Sequence, residues 1–204
     1  MTATAATTTT STPTPTETQT LTPGTWVLDP SHSDVSFTVR HLMVAKVRGT
    51  FADVSGTISI HPDDELKSAV EATIGIGSVD TRDEKRDAHL RSADFFDAEQ
   101  HPTMTYRSTG LRRVGEGRYT VDGELTLRGV TRPVELDLEL NGVSSDPWGG
   151  TRAGFSATGE ISRKDFGMEF NMPIAGGGVV VGDSVKINLE AEAILQAEAV
   201  TEAA

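Results

Sequence analysis

The sequence predicts an all-β protein, an extended antiparallel β-barrel of about eight strands with one short helical excursion. Apolar and polar residues alternate with a period of two in segment after segment, so each run is a ribbon with one dry face and one wet face. Turn residues separate the runs at short intervals, and the alternation seldom breaks. Ribbons in series hide their dry faces by closing into a barrel or by flattening into a sandwich.

The first strand starts over Trp26 to Asp29, and Asp29-Pro30-Ser31 is turn chemistry. Val35, Phe37 and Val39 then alternate with Ser36, Thr38 and Arg40. His41 to Val47 loses the alternation and reads as one short helical turn. Phe51 to Ile60 returns to strand, with a bulge or bend expected at Gly56. Val70, Ala72, Ile74 and Ile76 form the next dry face. Asp80 to Leu90 is highly charged, and Thr81 with Glu84 fits a capping box at a helix start. Phe95 and Phe96 follow it, and paired aromatics must bury.

Strands resume at Thr103, with Met104 and Tyr106 on one face. Gly115-Glu116-Gly117 supplies a hairpin turn, and Gly129 to Pro133 the next connection. Tyr119, Val121, Gly123, Leu125 and Leu127 share a face, as do Val134, Leu136, Leu138 and Leu140. Ala153, Phe155, Ala157, Gly159 and Ile161 form another. Lys164 to Gly182 is irregular and rich in Gly, Met and Phe, and the last strand runs from about Ser184 to Leu195.

The chain has 204 residues, with 30 acidic and 18 basic side chains and a net charge of −12. That balance disfavours nucleic acid and anionic surfaces as partners. There is no cysteine, which excludes disulfides, thiolate metal sites and cysteine nucleophiles. No apolar run approaches the roughly 18 residues of a membrane-spanning helix, so no integral membrane segment is expected. Residues 1–22 are Thr-, Ala- and Pro-rich with Glu17 their one charge, and read as a disordered leader. Residues 23–196 form the barrel domain and residues 197–204 a loose tail. The leader lacks the basic start and apolar core of a secretory signal.

Several dry-face residues are small: Ala72, Gly123, Ala153, Ala157, Gly159, Ala191 and Ala193. A barrel filled by its own side chains favours bulkier residues there, so these predict a long apolar cavity with a lipid-like occupant. The alternative is that helix and loop side chains fill the space.

The sequence resembles the YceI-like family, also described as polyisoprenoid-binding. The resemblance is carried by Asp29-Pro30-Ser31-His32-Ser33, by Phe37 to His41, and by Val47-Arg48-Gly49-Thr50-Phe51. It is strongest from Arg86 to Phe96 with His101-Pro102, recurs from Gly123 to Val134, and closes with Ser162 to Met168. It implies a bacterial protein with a lipocalin-like barrel that holds a long isoprenoid chain or similar lipid. It implies binding rather than a reaction, with no catalytic residues and no cofactor to carry over. Many relatives look exported to the periplasm. This chain shows no signal peptide, so a cytoplasmic location is expected.

Ser31-His32-Ser33-Asp34 holds the residue types of a hydrolase triad, but sequence adjacency rarely builds one, and turn chemistry explains it better. None of the five histidines shows paired ligand spacing, so no metal site is expected. Arg86 and His89 are headgroup candidates, because Arg donates two hydrogen bonds at once to a phosphate; the competing reading is a solvated helix face. Arg112, Arg113 and Arg118 offer a second anion site at a hairpin tip.

The function expected is carriage of an isoprenoid-type lipid, such as a polyprenyl chain or quinone. Phe37, Val39, Ile74, Met104, Leu125, Leu136, Phe155 and Leu189 would line the lumen, Phe95 and Phe96 close it, and Phe166 and Met168 border an entrance. The alternative is an enzyme that acts on a small apolar or isoprenoid substrate with polar groups at the barrel mouth. A second copy of the chain is a candidate partner.

Overall fold

A computed structural model describes residues 21–147, 149–173 and 178–197. The predicted leader, apart from Leu21 and Thr22, and the predicted tail beyond Ala197 lie outside the described residues. The elements run β1 (Gly24–Leu28), β2 (Asp34–His41), β3 (Ala45–Phe51), β4 (Val54–Ile60), β5 (Ala69–Gly75), β6 (Val79–Asp80), α1 (Glu84–Arg91), β7 (Thr103–Gly115), β8 (Arg118–Leu127), β9 (Val130–Ser145), β10 (Thr151–Ser162) and β11 (Val181–Leu195).

Eight strands close into an antiparallel ring in the order β1-β4-β5-β7-β8-β9-β10-β11, and β11 pairs back to β1. The same edge of β11 serves two partners. Val181 to Glu190 pair with β2, whereas Ala193 to Leu195 pair with β1. β2 carries β3, and β3 carries the short β6, which forms a second branch of wall at one end of the barrel. Closure leaves the ring no open edge, and the dry faces read from the sequence turn inward.

Four local expectations are corrected. His41 to Val47 is not helical: Leu42, Met43 and Val44 form a tight turn between β2 and β3, closed by a hydrogen bond from Val44 N to the His41 carbonyl. Leu42 and Met43 adopt positive φ, a turn geometry that alternation does not reveal. The break after Phe51 falls at Ala52–Asp53, and Gly56 sits in regular pairing with Ala72. A side chain at Gly56 would meet Leu28 and the Glu71 carbonyl, so that glycine serves close packing. The turn after β8 is only Arg128-Gly129, both at positive φ, and Pro133 lies inside β9 opposite Glu124. The helix is capped by Asp83, not Thr81; the Asp83 carboxylate accepts from the amides of Lys85 and Arg86.

Two apolar clusters fill the barrel walls. One gathers Phe51, Ile74, Ile76, Val79, Phe96, Met104 and Leu125 towards α1. The other surrounds Trp26 with Ile58, Ala153, Phe155 and Ala193 at the far end. Leu21 packs against that second cluster, and the Thr22 carbonyl accepts a hydrogen bond from Trp26 Nε1. Among the described residues no helix is long and apolar enough to cross a membrane.

Candidate functional site: an apolar lumen

The ring encloses a cavity of about 630 Å³. Cavities that hold small molecules fall in the range of about 300–1,000 Å³, and a water molecule's share of liquid volume is about 30 Å³. Its wall is apolar over most of its length. Of the lumen residues expected from sequence, Phe37, Val39, Ile74, Phe95, Phe96, Met104, Leu125, Leu136, Phe155, Met168 and Leu189 line it. Phe166 does not: it is fully buried in the wall cluster behind the lining. Its place follows from the short 3₁₀ turn over Arg163–Phe166, which tucks the ring inward beneath the strands.

The small dry-face residues divide into three groups. Ala72, Ala157 and Ala191 line the cavity and give it width. Gly123 and Gly159 are covered instead by the Tyr106 ring and the Leu136 side chain, which occupy the space a Cβ would take. Ala153 and Ala193 pack around Trp26. Alternation reveals which way a residue points, but not which neighbour leans over it.

The end nearest α1 is closed by aromatics. Phe96 stacks edge-on against Phe37 and Phe51, with centroid distances of 6.4 and 5.8 Å. Phe95 leans on Phe170 and on the His89 ring. Arg163 is buried beside them and donates to the carbonyls of Gly182 and Met168 and to Asp183.

At the other end the lining turns polar. His61, Asp63, Asp64, Glu65 and Arg113 border the cavity there, with Tyr119 just inside. The Tyr119 hydroxyl and Arg113 Nη1 both donate to the Glu65 carboxylate, at 2.9 and 3.2 Å. Burial and the facing carboxylate push the Tyr119 phenol up, which keeps it a neutral donor. Sequence reasoning missed Glu65 and Tyr119, since nothing local ties residues so far apart.

Arg86 and His89, the sequence-based headgroup candidates, do not reach the lumen. Arg86 donates to the Thr81 hydroxyl and carbonyl, both at 2.7 Å, and Asp87 is buried and accepts from the Thr81 amide and hydroxyl. These two residues lock the loop before α1; Asp87 is buried, while Arg82 to Arg86 are exposed, so the rest of that charged run is the solvated helix face of the competing reading. His89 Nε2 pairs with Asp94 at 2.8 Å, outside the aromatic closure. Of the competing arginines, Arg113 lies at the mouth, while Arg112 grips Asp122 and Glu135 on the outer face.

The Asp-Pro-Ser-His segment builds a lock, not a triad. His32 uses Nδ1 for both Asp29, at 2.9 Å, and Ser31, at 3.1 Å. A nucleophile–base–orienter relay needs both ring nitrogens. Asp29, His32 and Glu192 converge, but the Arg152 guanidinium already bridges Asp29 and Glu192 and also binds Asp146. The Ser31 hydroxyl, then Arg152 and His32, hold the Asp29 carboxyl far below the usual carboxylate range.

A closed antiparallel barrel around one apolar lumen, shut by aromatics at one end and rimmed by polar groups at the other, places the protein in the lipocalin-like class of barrels. The chain belongs to the YceI-like family: the YceI-like domain matches residues 26–193. It is 43% identical over 141 residues to the UPF0312 protein plu2095 of Photorhabdus laumondii, covering 69% of this chain and 73% of the relative. It is 42% identical over 141 residues to Protein YceI of Escherichia coli O157:H7, with the same coverage. Among solved structures, the Campylobacter jejuni YCEI protein superposes with a TM-score of 0.67 at 32% identity, over 78% of this chain and 90% of that one. A polyisoprenoid binding domain from Saccharophagus degradans has the same fold, with a TM-score of 0.65 at 19% identity, over 84% of this chain and 98% of that one.

Proposed function

We propose that this protein binds a long isoprenoid-type lipid, such as a polyprenyl chain or an isoprenoid quinone, inside the barrel, and carries or sequesters it without chemical conversion. The observation that carries the reading is the lumen itself, about 630 Å³ and walled by Phe, Leu, Ile, Val and Met side chains. Each CH₂ moved from water into such a wall gains about 0.8 kcal/mol, so a long chain binds tightly with little polar recognition. Methionines 104 and 168 adapt to the methyl branches of an isoprenoid. The polar rim at Glu65, Arg113 and Tyr119 suits a small headgroup that remains in water while the tail is enclosed. Family membership and the fold shared with a polyisoprenoid binding domain support the same reading.

Organic extraction of the purified protein followed by mass spectrometry tests it. A prenyl lipid near one equivalent is expected from the wild type, with much less from Phe155→Trp, which enlarges a lining side chain. Extracts free of any lipid, after reconstitution with a C40–C55 prenol or quinone as well as from the expression host, would count against it.

A further inference from the structure

The turn between β2 and β3 breaks three local rules at once. Its side chains are apolar yet face solvent: Leu42 is 36% exposed, Met43 52% and Val44 84%. Leu42 and Met43 hold φ of 51° and 60°, a region where glycine or asparagine is the usual occupant. Directly behind the tip Arg40 and Lys46 stand opposite one another across the two strands. Like charges in register oppose strand pairing. Neither has a carboxylate partner among the described residues, in a chain whose net charge is −12. The Arg40 guanidinium lies near the tip, 3.5 Å from the Met43 carbonyl. Apart from that long hydrogen bond from Arg40 to the Met43 carbonyl, these features do not help the turn to fold. Together they describe an apolar tip with cationic shoulders.

The patch extends sideways. Leu42 N donates to the Val180 carbonyl and Val180 N to that of Met172, which places the exposed Met172 beside the tip. The placement along the barrel is equally specific. β11 pairs Val181 with His41 at its start and Leu195 with Trp26 at its end, so the tip and the acidic Asp63–Glu65 rim lie at opposite ends. The strands that bear the tip also carry Phe37 and Phe51, against which Phe96 closes the lumen.

We infer that the Leu42-Met43-Val44 tip docks on an anionic lipid bilayer, with the three side chains inserted at the headgroup boundary and Arg40 and Lys46 on lipid phosphates. A bilayer answers both features of the tip, with phosphates for the cations directly above an apolar interior for the three side chains, whereas two copies meeting tip to tip would set Arg40 and Lys46 against the same cations. Shallow insertion of a few apolar side chains backed by cations is how peripheral proteins reach such surfaces. The net charge of −12 disfavours an anionic surface for the chain as a whole, but the acidic rim is at the far end, beyond the Debye length of about 8 Å at physiological salt, and the nearer Asp183 is paired with Arg163 and Lys164, so the local positive charge governs contact at the tip. The purpose of docking rests on the lipid-carrier reading: it brings the Phe96 closure next to the compartment that holds the cargo. The docking itself does not depend on that reading.

Sedimentation of the full chain with phosphatidylcholine vesicles, with and without half phosphatidylglycerol, tests it. Binding to the mixed vesicles is expected, weakened about tenfold or more by Met43→Ser with Val44→Ser. Arg40→Gln or Lys46→Gln should each weaken it about fivefold, and raised salt should release the protein. Met43→Gly should weaken binding several-fold, by less than the double serine variant, while the fold keeps or gains thermal stability, since glycine suits that backbone. No binding to the mixed vesicles, or binding indifferent to the tip variants, overturns the inference. So does a concentration-dependent dimer that the serine variant abolishes while vesicles bind neither form. Lipid extraction from the serine variant separates the two readings: retained cargo with lost sedimentation is docking failure alone, and sedimentation of a protein that holds no lipid leaves docking standing.

Discussion

Tyr119 donates its hydroxyl hydrogen to Glu65 Oε2 at 2.9 Å, which joins the β8 hairpin to the loop between β4 and β5 across the polar mouth of the lumen. The two residues are 54 positions apart, and the contact spans the route by which the cavity meets water.

Tyr119→Phe removes this tie and leaves Arg113 as the remaining donor to Glu65. The expected stability loss is small, about 1 kcal/mol or less. The larger effect is kinetic: release of a fluorescent apolar probe from the lumen should quicken by about fivefold if the tie holds the mouth closed. Stopped-flow displacement measures it, and an unchanged rate would show that the contact is ornamental to exchange.

Asp29 gives a pH-dependent prediction. Its carboxyl is depressed by the Ser31 hydroxyl first, with Arg152 and His32 adding to it. A depressed folded value means that the unfolded chain binds more protons on acidification, so the stabilisation is present at neutral pH and fades as the pH falls below about 4. Asp29→Asn should therefore melt below wild type at pH 7, and the gap should narrow between about pH 4 and pH 2. A gap that stays constant across that range would mean that the network contributes through shape and not through charge.

Gly49→Ala probes the wall. A Cβ there would lie 2.4 Å from Phe37 Cζ and 2.9 Å from Thr81 Cγ2. Phe37 would have to move, and it lies between the lumen and the Phe96 closure. The expected cost is about 1–3 kcal/mol in chemical denaturation, with a reduced capacity for long-chain guests. Wild-type stability and capacity would show that the ring has free room.

Much of this architecture is legible in the sequence because period-two alternation is a direct imprint of a strand with one dry face. Val134, Leu136, Leu138 and Leu140 can be assigned inward without any partner being known. The hairpin turn at Glu116-Gly117 and the helix after Asp80 are local chemistry and equally readable. What escapes is whatever depends on register or on positive φ at ordinary residues. Leu42 and Met43 carry no turn signal, Arg128 none that places Pro133 in a strand, and Phe166 alternates with nothing. The mouth escapes for a further reason: Arg86 and His89 looked functional because they crowd a charged segment, yet their partners, Thr81 and Asp94, are a few residues away. The groups at the mouth converge from two separate hairpin ends, Glu65 from the β4–β5 connection and Arg113 with Tyr119 from the β7–β8 hairpin, which only the assembled sheet brings together.

The most direct measurement is native mass spectrometry of the full chain beside Ala157→Phe, whose added ring would project into the cavity between the lining residues Leu138 and Leu189. Wild type, after incubation with a long-chain prenol, should show one added prenyl lipid per chain, and the variant should remain folded and bare. A variant that holds as much lipid as wild type, or a wild type that holds none, would mean that the tunnel is not where this protein keeps a guest.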